Sequence, residues 1–340
     1  MSTESDIVYN LSAFEEKNID PVVVSLNKKL IELGLKDQKW WDIGAQRYRE
    51  RRAKGETPFP PAPVHPSGTN GVAICASTRG DGATSVLRYR VFRPKEGEPA
   101  GLFYHIHGGG FVLGSSAGQD LLLEHISAKA NLAVVSVEYR LSPEHPYPAA
   151  YHDVVDFAGW LVENGKKEFG ADLAFVGGES AGGTLSAVVL FYLRSIGYIS
   201  HLKGAILNYG CFDLTYLPSA RLARPEATAI LATDSMYNFL NAFMPSTPCE
   251  DRKAPEISPA YNDLRGLCHA LFLVGTEDSL IDDSVLMHFR WLTAGNEALF
   301  KLVPGAPHAF MTFDGNNPGM PAVQAGWRIM VEYILERLKA

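Results

Sequence analysis

The stretch Phe175-Val-Gly-Gly-Glu-Ser-Ala-Gly-Gly-Thr-Leu185 decides the fold of this 340-residue chain. Within it, Gly178-Glu-Ser-Ala-Gly182 has the pattern Gly-X-Ser-X-Gly, in which a serine occupies a sharp turn between a strand and a helix. The residues two positions away on either side must be small, because the backbone there is strained and crowded. An apolar segment precedes the pattern and another, Leu185 to Leu193, follows it. This context favours a nucleophilic Ser180 over an incidental serine in a glycine-rich loop.

Short apolar runs alternate with helical windows on both sides of this turn. Strands are predicted over 72–77, 86–93, 101–106, 132–138, 172–177, 203–209, 270–275 and 298–303. Helices are predicted over 116–130, 148–164, 181–196, 281–294 and 320–338. The later strands are almost wholly apolar, as in sheets covered on both faces, whereas Arg88 and Arg90 give the second strand one wet face. The order predicts an α/β fold with a mostly parallel, eight-stranded sheet flanked by helices.

Two segments break this rhythm. Residues 20–56 read as helical, and five prolines between 58 and 66 then predict a stiff linker and a boundary. The stretch 211–265 carries one amphipathic window, Ala232 to Met244, followed by several prolines. An insertion lying over the end of the sheet would explain the second segment.

A second glycine-rich segment, Phe103-Tyr-His-Ile-His-Gly-Gly-Gly-Phe111, lies upstream of the serine. Its His107-Gly108-Gly109-Gly110 has the form of a loop whose backbone N–H groups converge on a developing negative charge. A dinucleotide-binding turn does not fit, since Leu113 stands where the third glycine is needed. His105 and His107 share a strand face but lack a third metal ligand in the pattern. We therefore expect neither a metal nor another cofactor.

A nucleophilic serine needs a base, and the base needs an orienting carboxylate. Asp278 and His308 each follow a predicted strand, where parallel sheets place their ligand crevices, and these two are favoured. Other candidates for the base and the acid stay open: His201, His269, His288, Glu277, Asp282 and Asp283.

The composition of the chain argues against several classes of protein. The net charge of −7 and the pI near 5.8 disfavour a nucleic-acid partner. The four cysteines are widely spaced, without the pairing expected of a zinc site or a disulfide framework. No apolar run reaches the length of a membrane span, and the polar N-terminus does not read as a signal peptide. We expect a cytoplasmic protein.

Six segments, taken in order, are similar to one family: His107-Gly-Gly-Gly-Phe111, Glu138-Tyr-Arg-Leu-Ser-Pro-Glu-His-Pro-Tyr-Pro-Ala-Ala150, Gly178-Glu-Ser-Ala-Gly-Gly183, Ser258-Pro-Ala-Tyr-Asn-Asp-Leu264, Asp278-Ser-Leu280 and Pro304-Gly-Ala-Pro-His-Ala-Phe310. Over about residues 60 to 338 the chain resembles the hormone-sensitive-lipase-like group of α/β-hydrolases, which includes the bacterial family IV esterases.

The resemblance implies an α/β-hydrolase core over 57–210 and 266–340, with a helical cap from 1–56 and 211–265. It implies a triad of Ser180, Asp278 and His308. It further implies an oxyanion hole formed by the backbone N–H groups of Gly109, Gly110 and Ala181. The residues implied to support the site are His107, Gly108, Glu179 and Glu144. Four positions depart from the family's usual residues, namely Phe111, Glu179, Ser279 and Ala309.

The expected function is hydrolysis of a small-molecule ester through an acyl-enzyme, with acyl chains of about two to eight carbons filling a compact pocket under the cap aromatics. An amidase, deacetylase or lactonase could use the same groups. A receptor with a silent hydrolase fold is the alternative from another class. The resemblance also implies a homodimer formed through about 298–338.

Overall fold

The computed structural model describes residues 10–58, 63–315 and 319–340 and contains one eight-stranded sheet. All eight predicted strands are present. Their bounds are β1 Thr69–Ala76, β2 Thr84–Phe92, β3 Leu102–Ile106, β4 Ala133–Glu138, β5 Leu173–Glu179, β6 Gly204–Asn208, β7 Ala270–Glu277 and β8 Ala298–Pro307.

The order of the strands brings the functional segments to one edge of the sheet. It runs β1-β2-β4-β3-β5-β6-β7-β8, with β1 and β2 antiparallel to their neighbours and every pair from β4 onward parallel. The carboxyl ends of β3, β5, β7 and β8 therefore lie on the same side, and the loops that follow them meet there. The predicted mostly parallel α/β architecture is confirmed.

Ten α-helices connect or flank these strands in the described part of the chain. They are α1 Pro21–Lys36, α2 Trp40–Ile43, α3 Ala45–Ala53, α4 Asp120–Ala130, α5 Ala149–Phe169, α6 Ala181–Ser195, α7 Pro218–Leu222, α8 Thr233–Phe243, α9 Ile281–Thr293 and α10 Pro321–Lys339. Short 3₁₀ turns occupy Leu11–Phe14, Glu16–Asn18, Ile199–His201, Glu250–Lys253, Pro259–Tyr261 and Phe310–Thr312. None of the helices described combines the length and apolarity needed to cross a membrane.

The segment predicted as continuously helical from 20 to 56 is three helices instead. Asp20 caps α1 by accepting a hydrogen bond from the Val22 N–H at 2.8 Å, and Pro21 occupies the first helical position. Gly44 separates α2 from α3 with φ of 89°, a conformation that residues with a side chain rarely adopt. Apolar periodicity alone does not reveal such interruptions. The predicted linker falls partly on residues 59–62, which lie outside the described residues.

The second strand corrects one expectation. Arg88 is exposed as predicted, but Arg90 is buried, with 5% of its surface accessible. Its guanidinium forms a forked ion pair with the buried carboxylate of Asp120 at the start of α4. A charge can be buried when such a partner is present, and alternation along a strand cannot reveal a partner 30 residues away.

Helices cover both faces of the sheet. On one face α5 and α6 pack in an apolar cluster that includes Val154, Phe157 and Leu185, and α9 joins it through Trp291. On the other face α4 and α10 supply a second cluster that includes Ile126 and Met330. Burial on both sides explains why the central strands are almost entirely apolar.

The N-terminal helices and the insertion between β6 and β7 meet over the loop that follows β3. Trp40 of α2 packs with Val112 and Leu113 of this loop, and its ring centroid lies 5.2 Å from that of Phe239 on α8. Phe243 of α8 packs against the same loop. The two segments that broke the α/β rhythm in the sequence are thus in mutual contact above the site.

Candidate active site

Ser180 lies on a sharp turn between β5 and α6. Its φ and ψ of 57° and −121° are strained for a residue with a side chain. The flanking glycines are required by close contact with β3, since a Cβ on Gly178 or Gly182 would lie 2.1 or 1.9 Å from the Ile106 carbonyl oxygen. The Gly-X-Ser-X-Gly pattern therefore has a steric cause in this chain, namely the carbonyl group at the end of the neighbouring strand.

Ser180, His308 and Asp278 form one continuous hydrogen-bonded chain. The Ser180 hydroxyl Oγ lies 2.9 Å from His308 Nε2. On the other side of the ring, His308 Nδ1 lies 2.9 and 3.0 Å from the two carboxylate oxygens of Asp278. The Leu280 N–H donates to Asp278 Oδ1 at 2.8 Å and holds the carboxylate in place. Three side chains from three separate loops are thus aligned for proton transfer.

The competing acids engage other partners. Glu277, at the end of β7, is largely exposed, and partial desolvation of its carboxyl group by neighbouring protein atoms raises its pKa. Asp282 accepts a hydrogen bond from the Ser219 N–H. Asp283 accepts from the N–H groups of Phe212 and Asp213, and burial raises its pKa well above the ordinary range. None of the three is hydrogen-bonded to His308 within the described chain.

The competing histidines also contact other groups and not Ser180. His269 contacts the Tyr333 hydroxyl at 3.1 Å, and His201 stacks beside Tyr198. His288 lies in α9 among aromatic rings, where burial lowers its pKa. Of the described histidines only His308 is hydrogen-bonded to a serine at a strand-to-helix turn.

The glycine loop after β3 lies directly beside Ser180. A Cβ on Gly108 would be 2.6 Å from the Glu179 carbonyl oxygen and 3.4 Å from Ser180 Cβ. Gly109 and Gly110 both have positive φ, 123° and 61°, which other residues would adopt only with strain. Within the described chain the N–H groups of Gly109, Gly110 and Ala181 have no hydrogen-bond acceptor.

His107 stiffens the start of this loop. Its ring stacks on that of Tyr139 at a centroid distance of 4.2 Å, and its Nδ1 donates to the Gly108 carbonyl at 2.9 Å. The Tyr139 hydroxyl donates in turn to the His107 carbonyl at 2.9 Å. Burial lowers the pKa of His107, which favours the neutral ring. The ring therefore supports the loop by stacking on Tyr139 and by one hydrogen bond to the Gly108 carbonyl.

Glu144 is tied to the site by a residue that the sequence reading did not single out. Arg49 of α3 donates to both oxygens of Glu144, and this pairing lowers the pKa of the carboxyl group. The same guanidinium donates to the Val112 carbonyl at 2.8 Å and to the Ser142 carbonyl at 2.9 Å. Arg49 therefore connects the N-terminal helices to the glycine loop after β3 and to the loop after β4. A lone arginine in a basic helix carries no sequence signal for such a role.

Glu179 is fully enclosed rather than facing the pocket. Its carboxylate accepts hydrogen bonds from His105 Nε2 at 2.8 Å and from Asn208 Nδ2 at 3.3 Å. The other ring nitrogen of His105 lies 2.9 Å from the Ser136 hydroxyl. Both nitrogens of His105 are thus occupied by protein groups. Among the described residues no cluster of three or more His, Cys, Asp or Glu side chains could hold a metal ion.

The remaining departures have visible consequences. Phe111 is buried and stacks face to face on Phe243 of α8, with centroids 3.9 Å apart. The Ser279 hydroxyl donates to the Leu231 carbonyl at 2.7 Å, which joins the acid turn to the insertion. Ala309 has φ of 59°, so a side chain occupies a left-handed position directly after His308.

These features define the class of the protein. A family model described as the α/β-hydrolase fold matches residues 103–312, more than half of the chain, and the protein belongs to this family. The predicted α/β-hydrolase fold is confirmed.

Several solved structures share this fold over almost the whole chain. A hyperthermophilic esterase from the archaeon Pyrobaculum calidifontis is 29% identical, with a TM-score of 0.78 over 95% of this chain and 99% of that one. A thermostable esterase from Pseudomonas putida is 22% identical, with a TM-score of 0.80 over 95% and 99%. An esterase of the bacterial hormone-sensitive lipase family is 23% identical, with a TM-score of 0.74 over 94% and 99%. The resemblance is confirmed at the level of the α/β-hydrolase family, and the hormone-sensitive-lipase-family esterase shares the fold of this chain.

Proposed function

We propose that the protein is a serine carboxylesterase in which Ser180 is the nucleophile. The observation that carries the proposal is the chain of 2.9 Å contacts from Ser180 Oγ through His308 to Asp278. The Pyrobaculum calidifontis relative at 29% identity is an esterase, which favours an ester as the substrate over an amide or a lactone.

In this proposal the reaction proceeds in two halves. His308 Nε2 removes the proton of Ser180 as Oγ attacks the ester carbonyl, and the carbonyl C=O opens to a tetrahedral oxyanion. The unpaired N–H groups of Gly109, Gly110 and Ala181 are the donors for that oxyanion. The ester C–O bond then breaks and the leaving alcohol takes the proton from His308. Water attacks the acyl-enzyme by the same route, with His308 again as base, and releases the carboxylic acid.

Asp278 orients the base in both halves of the reaction. It accepts from His308 Nδ1, which keeps Nε2 free of a proton in the resting state and stabilises the imidazolium that forms during each half-reaction. His107, Gly108, Glu179 and Glu144 support this machinery in the proposal without touching the reacting atoms.

The test is the Ser180→Ala variant assayed on p-nitrophenyl butyrate. We expect a loss of at least about a thousandfold in kcat, because the acyl-enzyme cannot form. Ser195→Ala is the matched control, since Ser195 is an exposed serine at the end of the same helix. A Ser180→Ala enzyme that kept more than about a hundredth of the normal rate would refute the assignment.

Labelling by a fluorophosphonate separates an enzyme from a silent receptor. An activated Ser180 takes up one equivalent, whereas an inert serine takes up none. A parallel assay on p-nitroanilides tests the amidase alternative, and p-nitrophenyl esters should be turned over much faster.

The proposed acyl chain is short, about two to eight carbons, because α8 closes the space over the glycine loop. Phe239 lies so near Gly110 that a Cβ there would be 2.4 Å from its ring. Each methylene group of the acyl chain that is buried in the pocket contributes about 0.8 kcal/mol of favourable transfer free energy, and this gain ends when the pocket is full. We expect kcat/KM to rise from p-nitrophenyl acetate to an intermediate chain and to fall at palmitate. A maximum at palmitate would contradict the compact pocket.

The domain division and the dimer belong to the same proposal. Residues 1–56 and 211–265 would form the cap over a core of 57–210 and 266–340, supported by the contacts of Trp40 and Phe243 with the glycine loop. In the described part of the sheet β8 has a neighbour on one side only, and an edge strand can pair with a second copy. Light scattering on dilute protein should give twice the mass of one chain.

A further inference from the structure

A surface groove of about 850 Å³ lies in the insertion, away from the triad. Its walls include Tyr216, Arg221, Tyr237, Asn241, Thr247 and Arg252. Tyr237 and Asn241 flank Phe239 on α8, two residues away on each side. Two helical positions correspond to about 200° of rotation, so the groove and the roof above Gly110 lie on opposite sides of α8. We call it the arginine groove.

Arg252 is buried in the groove wall without an acidic partner. Only 4% of its surface is accessible. Its guanidinium donates to the Thr247 carbonyl at 3.2 Å, to the Tyr216 hydroxyl at 2.9 Å and to Asn241 Oδ1 at 3.0 Å. All three acceptors are neutral. A buried cation that meets only neutral acceptors is unusual, because buried charges are normally paired.

Arg221 brings a second positive charge to the same groove. Its Nε donates to the Tyr216 carbonyl at 2.6 Å and its Nη2 to the Thr215 carbonyl at 3.0 Å, which fixes the guanidinium against the wall. Its Nη1 has no acceptor among the described residues. The exposed Glu250 and Asp251 are close in sequence to Arg252, yet neither forms an ion pair with either arginine in the described chain.

Tyr216 adds a neutral donor between the two arginines. Its hydroxyl accepts from Arg252, and its own O–H has no acceptor within the described residues. Burial raises the pKa of this phenol, so it keeps its proton at neutral pH. Tyr237 packs on Tyr216 with centroids 4.4 Å apart and leaves about two fifths of its own surface exposed, 43%.

We propose that the arginine groove binds a small organic anion, with a carboxylate or phosphate group held by Arg221, Arg252 and the Tyr216 O–H. Guanidinium groups fixed by neutral acceptors leave N–H donors and two uncompensated charges for an oxyanion. The exposed ring of Tyr237 suits the apolar body of such a ligand. The site is separate from the hydrolytic centre and does not depend on the proposed esterase activity.

The experiment is calorimetric titration of the full chain with sodium benzoate and with phenyl phosphate, at fixed ionic strength. We expect one of the two probes to bind, and the tighter one identifies the headgroup. Arg221→Gln should weaken its binding by about tenfold or more, because a charged hydrogen-bond donor is lost. Arg224→Gln is the matched control, since Arg224 is an exposed arginine three residues away that does not line the groove.

A second readout locates the ligand. Cys249 also lines the groove, so a bound probe should slow its reaction with a neutral maleimide in the wild type and in Arg224→Gln, but not in Arg221→Gln. Tyr216→Phe, which removes only the hydroxyl, should weaken binding without loss of fold. The proposal fails if neither probe binds at about 10 mM, or if Arg221→Gln binds as tightly as the wild type.

Discussion

The Nε2 atom of His105 lies 2.8 Å from Oε2 of Glu179, so a buried imidazole is anchored to the residue that directly precedes Ser180. Asn208 donates to the other oxygen of the same carboxylate. These hydrogen bonds join β3, β5 and β6 at the point where the backbone enters the strained turn. Glu179, one of the four departures from the family's usual residues, therefore holds the three strands together immediately before Ser180 in the chain.

The Glu179→Gln variant tests the contribution of these hydrogen bonds to stability. A glutamine can accept from His105 or from Asn208 but not from both, because one of its terminal atoms is an NH₂ group. We expect the free energy of unfolding in urea to fall by about 1–3 kcal/mol. Glu163→Gln, at an exposed position on α5, should change it by less than about 0.5 kcal/mol. Equal effects of the two substitutions would show that the buried hydrogen bonds contribute little.

The Asp278→Asn variant tests which carboxylate orients His308. An asparagine presents either an NH₂ group or a weaker acceptor to Nδ1, which favours the wrong tautomer of the ring. We expect kcat to fall by about 10³- to 10⁴-fold on p-nitrophenyl butyrate. Asp282→Asn removes a carboxylate that bonds to the Ser219 N–H instead, and its activity should stay within about threefold of the wild type. A larger loss in Asp282→Asn than in Asp278→Asn would reverse the assignment.

The Phe239→Ala variant tests the roof over the glycine loop. Removing the ring next to Gly110 opens space, so the ratio of kcat/KM for octanoate over acetate should rise by about tenfold. Tyr237→Ala removes an aromatic ring from the opposite side of the same helix and should leave the ratio unchanged. An unchanged ratio in Phe239→Ala would mean that this ring packs the cap without bounding the acyl chain.

The Ala309→Gly variant tests strain beside the base. Ala309 has φ of 59°, where a side chain is disfavoured, so glycine should raise the free energy of unfolding by about 0.5–1 kcal/mol. Ala294, with φ of −80°, provides the control, because glycine there should lower stability by about 0.5–1 kcal/mol. Opposite signs are the expected result. A loss of stability in both variants would show that the Ala309 methyl group is worth more in packing than its conformation costs.

Thiol labelling tests the burial of the cysteines. Burial raises the pKa of Cys75 and of Cys268 to about 12, and that of Cys211 well above the ordinary range. At pH 8 these three are protonated and unreactive, so Cys249 should account for a single fast equivalent of thiol reagent. Cys249→Ser should abolish the fast phase. The raised pKa values also predict that stability is retained below about pH 9 and falls as the pH rises from 9 towards 12, because the unfolded thiols lose protons first.

The sequence allowed the fold and the line of contact among Ser180, Asp278 and His308 to be predicted for a physical reason. A strained turn demands glycines at fixed offsets, and parallel strands bring their carboxyl ends to one edge wherever they lie in the chain. The first rule can be recognised from the local sequence pattern. The second needs only the order of the strands, which the apolar periodicity indicates.

The features that the sequence could not predict are mostly contacts between residues that are distant in the chain. Arg90 pairs with Asp120 and is buried, although its alternation with Leu87 and Val91 indicates exposure. The glycine that divides α2 from α3 is hidden within a helical pattern. The arginine groove arises where Arg221 and Arg252, 31 residues apart, come together without an acidic partner, and nothing in either local pattern marks them.

The hydrogen bonds of Arg49 have a consequence for anyone who alters the beginning of this protein. One side chain from the third helix satisfies carbonyl groups of both Val112 and Ser142, as well as the carboxylate of Glu144. Deleting the N-terminal segment as far as residue 55, or replacing it with a heterologous module, would remove this one donor side chain from three acceptor groups at once. The third helix therefore holds the loops after β3 and β4 in position, and it should be kept intact in any chimera or shortened version.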